Sequence, residues 1–354
     1  MKNLLLAAKK ATKGKKSRHG AARFWFHREA ELFKIQRELQ CQTYTFGIYR
    51  EFEICDKGIK RKISAAPFRD RVVHHAMMNV LEPIFEKSFI HDTYANRKGK
   101  GVFAALKRAK FFSRQYIHIL KLDIRKYFPS IDHEILKSMV AKKIPCPKTL
   151  QLINDVIDSS NPQEKVEHTF YGDDLFTRYE RRIGLPLGNL TSQYFGNLYL
   201  GGLDHYVKEI LRVKGYIRYV DDIIIFGKSV AFLEEIYQKI NDFLSKLRLK
   251  LHPLKIKFLE TKNGFEFLGH KVYPTHFRVT SKNIRRIRLN LHHAVQSYHY
   301  GHTSLQEAKN KLFSSIGFLS VGSNFYITNE LLARSVFIKP SVEAILQPRR
   351  QLEQ

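Results

Sequence analysis

The sequence predicts an α+β fold, because strand-like and helix-like segments alternate along it without a regular βαβ repeat. Hydrophobic residues make up 44% of the 354 positions, enough to build cores in two or three domains or subdomains. The formal net charge of +28 favours a polyanionic partner, most often a nucleic acid. A basic soluble protein of another kind would carry the same excess, so charge alone does not separate the two classes.

The first 23 residues are rich in Lys and Arg, which predicts a mobile basic arm that either contacts RNA phosphates or only improves solubility. Apolar residues at helical or alternating spacing predict the elements that follow. These are a helix over 24–46, a strand pair at 48–54 and 60–65 with a turn at 56–58, and helices over 68–89 and 101–114. We expect Pro83 to disturb the helix in which it lies.

The second half of the chain continues the alternation. Between about 133 and 182 the pattern is mostly helical, and a helix over 190–214 follows. Next come a hairpin at 217–226, an amphipathic helix over 230–248, and short strands around 256–260 and 264–272. Beyond about 280 the pattern is helical and basic, which suits a surface that grips a duplex.

Two adjacent carboxylates, Asp221 and Asp222, lie where two apolar strand-like runs meet. Runs joined this tightly predict a β-hairpin with both acids at its tip. A third acid, Asp123, ends another apolar run, and Asp132 is placed to cap the helix after it. A strand that ends in a carboxylate can bring Asp123 beside the hairpin tip.

These acids predict a metal site, because neighbouring carboxylates repel each other unless a cation joins them. Mg²⁺ prefers oxygen ligands and is commonly held by one or two carboxylates together with phosphate oxygens. We therefore expect Asp123, Asp221 and Asp222 to hold two Mg²⁺ ions, as polymerase sites do, with Mn²⁺ able to substitute.

The three cysteines, Cys41, Cys55 and Cys146, show no CxxC spacing. We therefore expect neither a zinc site nor a disulfide framework, and a reducing cytoplasm fits. The apolar run at 4–8 is too short for a signal sequence or a membrane span, so no membrane partner is expected.

Taken in order, these motifs resemble the palm of reverse transcriptases. The resemblance lies in Asp123 with Tyr127 and Phe128, in segment 184–193, in Tyr219 to Asp222, and in the flanking stretches 62–73, 251–255 and 267–270. It covers about residues 24–322 and implies a right-hand polymerase fold. The implied parts are a basic arm at 1–23, fingers at 24–115, a palm at 116–279 with the helical insert at about 133–182, and a small helical thumb with a tail at 280–354.

The resemblance also implies roles for single residues. Asp123 and Asp221 would be direct ligands of both ions, with Asp222 as the third carboxylate and the backbone of Ile124 as a further ligand. Lys255 matches a position proposed to protonate the departing pyrophosphate. An aromatic at Phe128 would lie beneath the sugar of the incoming nucleotide and exclude a 2′-hydroxyl, so that dNTPs are chosen over rNTPs. The other residues expected at the dNTP are Arg61, Tyr127, Leu187, Gly188 and Gln193.

A further set is expected at the primer and template. It consists of Arg69, Arg71, Tyr219, Val220, Phe267, Leu268 and Gly269. Surface ion pairs are the alternative for the two arginines, and a simple strand end is the alternative for 267–269. The implied partners are a template RNA, an RNA–DNA heteroduplex and dNTPs.

Segment 184–193 indicates a subtype. Many reverse transcriptases have Gln-Gly where this chain has Leu187 and Gly188, and here Gln193 follows Ser192. This form resembles the reverse transcriptases of diversity-generating retroelements. Such enzymes copy a template RNA into cDNA with frequent errors opposite adenine, and the cDNA rewrites a variable gene. The resemblance implies a cytoplasmic enzyme, in a bacterial host or encoded by a phage, that works with a small basic accessory protein forming a helical barrel oligomer.

Two alternatives remain open. Another bacterial reverse transcriptase, defence-associated or retron-like, is the nearest one within the enzyme class, although the Asn-Ala-x-x-His and Val-Thr-Gly segments typical of retrons are not present. A group II intron maturase would carry a longer C-terminal extension. From a different class, the chain would be a catalytically silent RNA-binding scaffold on a polymerase fold, and the three carboxylates argue against that.

Overall fold

The computed structural model describes residues 1–56, 58–161, 166, 168–170, 172–174, 176 and 180–337. Lys57 of the first predicted turn, parts of the predicted insert after 161, and residues 338–354 of the predicted thumb and tail lie outside the described residues. The chain divides into two compact units: a larger one of 1–101, 120–225 and 229–258, and a smaller one of 102–119, 226–228 and 259 onwards. No described helix is long and apolar enough to cross a membrane.

Helices are the longest elements among the described residues of both units. In chain order they are α1 (Lys2–Thr12), α2 (His19–Phe26), α3 (Arg28–Gln40), α4 (Phe68–Glu86), α5 (Val102–Ser113), α6 (Tyr127–Ser130), α7 (His133–Ala141), α8 (Pro147–Asp158), α9 (Leu190–Tyr199), α10 (Gly201–His205), α11 (Val230–Lys246), α12 (Ser281–His299), α13 (Leu305–Leu319) and α14 (Phe325–Arg334). Single turns of other helix types lie at Tyr206–Ile210, Pro253–Lys255 and Thr261–Asn263. Asp132 caps α7 as expected, since its side chain accepts hydrogen bonds from the amides of Glu134 and Ile135. Pro83 lies inside α4, which continues to Glu86, so the expected disturbance does not end this helix.

The strands in the described part of the chain form three sheets. They are β1 (Arg50–Asp56), β2 (Ile59–Ala65), β3 (His118–Asp123), β4 (Tyr216–Tyr219), β5 (Asp222–Gly227), β6 (Lys257–Glu260), β7 (Phe265–Phe267), β8 (His270–Val272) and β9 (Phe277–Val279). The sheet orders are β1-β2, β4-β5-β3-β6 and β7-β8-β9. The predicted strand pair and the predicted hairpin are both present as antiparallel pairs, whereas β9 was not predicted.

The four-stranded sheet places the predicted acids. Its two inner strands, β5 and β3, carry consecutive buried apolar residues, and Ile223, Ile224 and Ile225 of β5 are fully buried, whereas the edge strand β6 is exposed or half-buried. Strands buried on both faces read as continuous apolar runs, which is why the sequence shows no alternation here. Helices α4, α9 and α11 contribute buried side chains to the same core as β3 and β5. Since β3 is the neighbour of β5, Asp123 ends the strand next to the one that Asp222 begins.

The N-terminal segment is not a mobile arm. Residues Lys2–Thr12 form α1, whose apolar face of Leu4, Ala7, Ala8 and Ala11 is buried in a core shared with α3 and α4. The spacing of these four residues is helical, but the lysines within and after this segment favoured the prediction of an arm. The basic side chains are therefore carried on a folded surface of the larger unit.

The smaller unit has its own core. Val279 at the end of the three-stranded sheet is buried with Ile287, Leu291, Leu319 and Leu331 from the last three helices. Helix α13 begins with a capping box in which Ser304 and Glu307 satisfy each other's backbone amides. The predicted helical and basic character of this region is thus present over 281–334.

Candidate active site

The hairpin turn between β4 and β5 carries the two adjacent acids. Tyr219 pairs with Asp222, so Val220 and Asp221 form a two-residue loop. Val220 has a φ of +59°, and a positive φ at the first loop residue is the pattern of a type II′ turn, which normally has glycine there. A β-branched residue in this region is strained by about 1–3 kcal/mol and persists only where its surroundings hold it.

Asp123 is fixed at the end of β3 by a short backbone pairing. The amide of His252 donates to the Asp123 carbonyl at 2.8 Å, and the amide of Arg125 donates to the Lys250 carbonyl at 2.9 Å. This pairing brings the 253–255 turn against the strand end. As a result, the Lys255 Nζ lies 2.9 Å from both carboxylate oxygens of Asp123.

The acids influence one another electrostatically. Burial, and then the charges of Asp222 and Asp123, raise the pKa of Asp221 to about 6. Burial also raises the pKa of Asp222, although the ammonium of Lys121, 3.6 Å from one carboxylate oxygen, acts in the opposite direction. The hairpin tip is therefore a place where negative charge is only partly compensated by the protein.

This donor set fits a hard divalent cation in chemistry, since all three side chains offer oxygen anions whose repulsion a cation would relieve. Among the described residues, however, no three His, Cys, Asp or Glu side chains are grouped closely enough to hold a metal ion between them. The structure thus brings Asp123, Asp221 and Asp222 into electrostatic range but not into a formed ligand set. The ion pair of Asp123 with Lys255 is the contact that a bound ion would have to replace.

Phe128 and Tyr127 lie against helix α9 at Gly196. A Cβ at Gly196 would come within 3.1 Å of the Phe128 ring and 3.4 Å of the Tyr127 ring, so glycine is what allows both rings to approach. Tyr127 is 2% exposed and its hydroxyl donates to the Gly196 carbonyl. This corrects the expectation that Tyr127 contacts the nucleotide: it is a core residue that supports the half-buried Phe128.

Segment 184–193 is attached to strand β2 by hydrogen bonds of its backbone and of the Asn189 side chain. The amide of Ser64 donates to the Leu187 carbonyl at 3.2 Å, and the side-chain amide of Asn189 donates to the Ser64 carbonyl at 3.2 Å. Gly188 has a φ of +105°, and a Cβ there would lie 3.0 Å from Ile63. The close approach of the two segments therefore requires glycine at 188.

The remaining side chains expected at the nucleotide are accessible. Leu187 is half-buried, whereas Gln193 on α9 and Arg61 on β2 are exposed. Their exposure is compatible with the expected contacts.

The two arginines at the start of α4, Arg69 and Arg71, differ in their surroundings. The guanidinium of Arg69 lies 2.6 Å from Glu38 and 3.5 Å from Glu31, and it stacks over Tyr44. This corrects the expectation of a template contact for Arg69 in favour of the ion-pair alternative. Arg71 donates from Nε to the Ala66 carbonyl at 2.8 Å, and the positive charge of Arg18 adds to burial in lowering the pKa of Arg71.

The predicted primer-contacting segment lies in the smaller unit as a tight turn. Phe267 pairs with His270, and both loop residues have positive φ, 47° at Leu268 and 80° at Gly269. This is the pattern of a type I′ hairpin turn. Phe267 is buried, so only the turn residues of this segment present accessible backbone.

A buried polar cluster that was not predicted from the sequence lies behind the hairpin. Arg218 and Asp204 are both fully buried and form an ion pair at 2.6 Å, with Asn197 and Tyr216 bonded to the same pair. The available signal was an arginine inside the apolar run of β4, which a continuous buried strand does not tolerate without a partner.

Solved structures with a similar fold include telomerases. The chain aligns with apo telomerase from Candida tropicalis at a TM-score of 0.50 and 13% identity, over 85% of this chain and 56% of that one. Telomerase from the same organism in complex with a fragment of telomeric RNA aligns at a TM-score of 0.50 and 11% identity, over 80% and 56%. This likeness confirms the predicted α+β right-hand polymerase fold.

The curated relatives match this chain over only part of their own length. Protein YkfC of Escherichia coli (strain K12) is 25% identical over 253 residues, which cover 61% of this chain and 64% of that protein. The group II intron-encoded protein LtrA of Lactococcus lactis subsp. cremoris is 27% identical over 184 residues, 51% of this chain and 29% of LtrA. The chain therefore matches between 29% and 64% of the length of these two relatives.

A family model described as reverse transcriptase (RNA-dependent DNA polymerase) matches residues 55–272. The matched range contains β3, the 184–193 segment and the β4–β5 hairpin, which are the elements that carry the acids and the residues around them. Since this range is more than half of the 354 residues, the chain belongs to the reverse transcriptase family.

Proposed function

We propose that this chain is an RNA-directed DNA polymerase that extends a primer along an RNA template. The observation that carries the proposal is the placement of Asp123 and Asp222 on neighbouring strand ends, with Asp221 in the turn beside them. Family membership supports the same activity. A telomerase neighbour described with a telomeric RNA fragment supports an RNA partner for this fold.

In the proposed reaction the primer 3′-hydroxyl releases its proton to solvent, its oxygen forms a bond to the α-phosphorus of a dNTP, and the bond from that phosphorus to the pyrophosphate oxygen breaks. Mg²⁺, held by Asp123, Asp221 and Asp222, would supply activation of the hydroxyl and compensation of the phosphate charge. Lys255 would leave Asp123 and donate a proton to the departing pyrophosphate. Phe128 would exclude a 2′-hydroxyl from the sugar pocket.

Primer extension on a defined RNA template tests this proposal. The variants Asp221→Ala and Asp222→Ala should abolish Mg²⁺-dependent cDNA synthesis while RNA binding survives. The matched control is Asp242→Ala, which removes an exposed acid of α11 and should leave synthesis unchanged. Normal synthesis by either hairpin variant would contradict the assigned site, and no synthesis by the unaltered chain would favour the RNA-binding scaffold.

We further propose that the enzyme belongs to a diversity-generating retroelement and copies its template with errors opposite adenine. The residues that support this subtype are Leu187, Gly188 and Gln193. A glutamine at 187 would be able to hydrogen-bond to the nascent base pair, and a misaligned pair would lose that bond. A leucine makes no such bond, so a misaligned pair is penalised less relative to a correct one. Selectivity for adenine itself requires further contacts.

The Leu187→Gln variant isolates this effect, because the backbone of Leu187 bonds to Ser64 whichever side chain is present. Misincorporation on a defined RNA should fall in Leu187→Gln and stay at the parental level in the apolar control Leu187→Met. An unchanged error spectrum in Leu187→Gln would count against the proposed origin of the errors.

The retroelement proposal includes a small basic accessory protein that forms a helical barrel oligomer. The expected result is that the isolated chain gives short cDNA and that the product of a neighbouring small gene restores full-length copying. Full-length cDNA from the isolated chain would refute the need for this partner. A genomic neighbourhood without a near-repeat template and variable pair would instead favour a defence-associated or retron-like enzyme.

A further inference from the structure

The guanidinium of Arg218 is the centre of a complete buried hydrogen-bond network. Its Nε donates to Asp204 Oδ1 at 2.7 Å, and its Nη2 donates to Asp204 Oδ2 at 2.6 Å and to the Asn197 carbonyl at 3.1 Å. The remaining nitrogen, Nη1, donates to Asn197 Oδ1 at 3.3 Å and to the Val220 carbonyl at 3.0 Å. All five N–H groups of the arginine therefore have an acceptor.

The carboxylate that faces this arginine is equally saturated. Asp204 Oδ1 also accepts from the Tyr216 hydroxyl at 2.7 Å, and Oδ2 accepts from the Thr93 hydroxyl at 3.1 Å. The backbone of Arg218 is fixed as well, since its amide donates to the Asp92 carbonyl and its carbonyl accepts from the Tyr94 amide, both at 3.0 Å. The arginine thus has little freedom to move relative to α9, α10 and the 92–94 segment.

Core stability alone does not require this arrangement. A buried ion pair is costly to desolvate, and apolar side chains of similar volume often give equal or greater stability. What an apolar pair would not supply is a donor for the Val220 carbonyl. That carbonyl belongs to the loop residue with φ of +59°, directly before Asp221, and a strained turn persists only when its surroundings hold it.

We propose that Arg218, oriented by Asp204, is a positioning residue that holds the Val220 carbonyl and thereby sets the places of Asp221 and Asp222. The expected effect on kcat rests on the proposed polymerase function, whereas the expected effect on the conformation of the turn does not. The planar guanidinium of arginine bonds to the carboxylate and to the loop carbonyl at the same time, whereas a lysine offers one ammonium group and cannot replace both sets of bonds.

The kinetic test uses Arg218→Lys in the full chain, alone and together with Val220→Gly. Displacement of the acids should lower kcat by about tenfold or more, because misplacing reacting groups by about 1 Å can cost up to 100-fold. The dNTP KM should change by less than about threefold, since the side chains expected to contact the nucleotide directly, such as Arg61, Phe128 and Gln193, do not belong to this network. Val220→Gly should recover most of the lost kcat in the Arg218→Lys background, because glycine adopts positive φ without strain.

Two results would overturn the proposal: a kcat for folded Arg218→Lys within about twofold of the parent, or an effect of Val220→Gly that is the same in both backgrounds. If Arg218→Lys does not fold, the double variant Arg218→Met with Asp204→Leu replaces it, because it removes the donor without leaving an unpaired charge. The same fall in kcat is expected there, and a parental kcat overturns the proposal.

Arg248→Met is the matched control, since Arg248 pairs at 2.6 Å with the fully buried Asp132. This variant should lower the unfolding midpoint and leave kcat unchanged.

Hydrogen exchange separates this inference from the proposed function. In the substrate-free chain, amides of the peptide covering 216–226 should exchange faster in Arg218→Lys than in the parent or in Arg248→Met. Unchanged exchange there overturns the inference even if the enzyme polymerises. A parent chain that shows no polymerisation defeats the proposed function, whereas the exchange result still decides the role of Arg218.

Discussion

The buried histidine of α4 gives a stability prediction whose size follows from the structure. His74 is 1% exposed, its ring stacks on Phe46 with centroids 5.8 Å apart, and its Nε2 has no hydrogen-bond partner among the residues that the structure describes. Burial, with the positive charge of His75 and Arg71 as smaller causes, lowers the pKa of His74 from 6.5 to about 4. The native chain therefore keeps this imidazole neutral at pH values where the unfolded chain protonates it.

The sign and magnitude of the pH effect on the free energy of unfolding follow from the difference in proton binding between the folded and unfolded states. Above pH 6.5 both states are neutral and His74 contributes no pH dependence. As the pH falls below 6.5 the unfolded state binds the proton first, so the free energy of unfolding decreases. The decrease reaches about 3 kcal/mol near pH 4, at about 1.4 kcal/mol for each unit of pKa difference. At pH 5 the loss relative to pH 7.5 is about 2 kcal/mol.

The perturbation is His74→Leu, which removes the titration, with His74→Gln as a polar variant that also does not titrate. Urea unfolding can be followed by the fluorescence of Trp25, the one tryptophan of the chain, which packs against the core that contains Val73 and Ala76 of α4. The free energy of unfolding should fall by about 2 kcal/mol more in the parent than in either variant between pH 7.5 and pH 5. Equal falls in all three proteins would refute the reasoning, because the contributions of other groups cancel in the comparison.

Three further predictions concern the site. Gly196→Ala should weaken the choice of dNTP over rNTP, because the new Cβ would lie 3.1 Å from the Phe128 ring and displace it; an unaltered incorporation ratio would contradict this. Arg71→Gln should reduce the slope of log affinity against log salt concentration for template–primer binding by about one unit. Arg69→Gln should lower the urea midpoint more than Arg71→Gln does. The reverse order of stabilities would be inconsistent with the ion pairs of Arg69. Lys255→Met should lower kcat and also reduce the Mg²⁺ concentration needed for half-maximal rate, because no ammonium then competes for the carboxylate; an increased Mg²⁺ requirement would oppose that competition.

Local patterns in the sequence were enough to predict most elements that carry the acids. The apolar runs on both sides of Asp221 and Asp222 predicted the β4–β5 hairpin, and the cap at Asp132 predicted the start of α7. These signals are short-range, since strand runs, turns and caps depend on residues within a few positions of one another. The family resemblance rested on the same local motifs, and the matched range of 55–272 confirms it.

Patterns of charged residues predicted the local structure and its contacts less reliably than patterns of apolar residues did. The lysines of the first segment indicated a mobile arm, whereas Leu4, Ala7, Ala8 and Ala11 fold it as a helix onto α4. The arginines at 69 and 71 look equivalent in the sequence, yet only Arg69 has carboxylates of α3 within ion-pair distance. The partner of a long charged side chain depends on elements far away in the sequence, so neighbouring residues do not reveal it.

The sequence by itself determined the family and the strand ends that carry the three acids, because both depend on residue type and near spacing. Only the tertiary structure decided what surrounds those acids: the ammonium of Lys255 on Asp123, the positive φ of Val220, and the Arg218–Asp204 pair behind the turn. Arg218 and Asp204 are 14 positions apart, and their pairing follows from the packing of α10 against β4. Long-range packing determines which charges meet, and this is why the hydrogen bond from Arg218 to the Val220 carbonyl was not predicted.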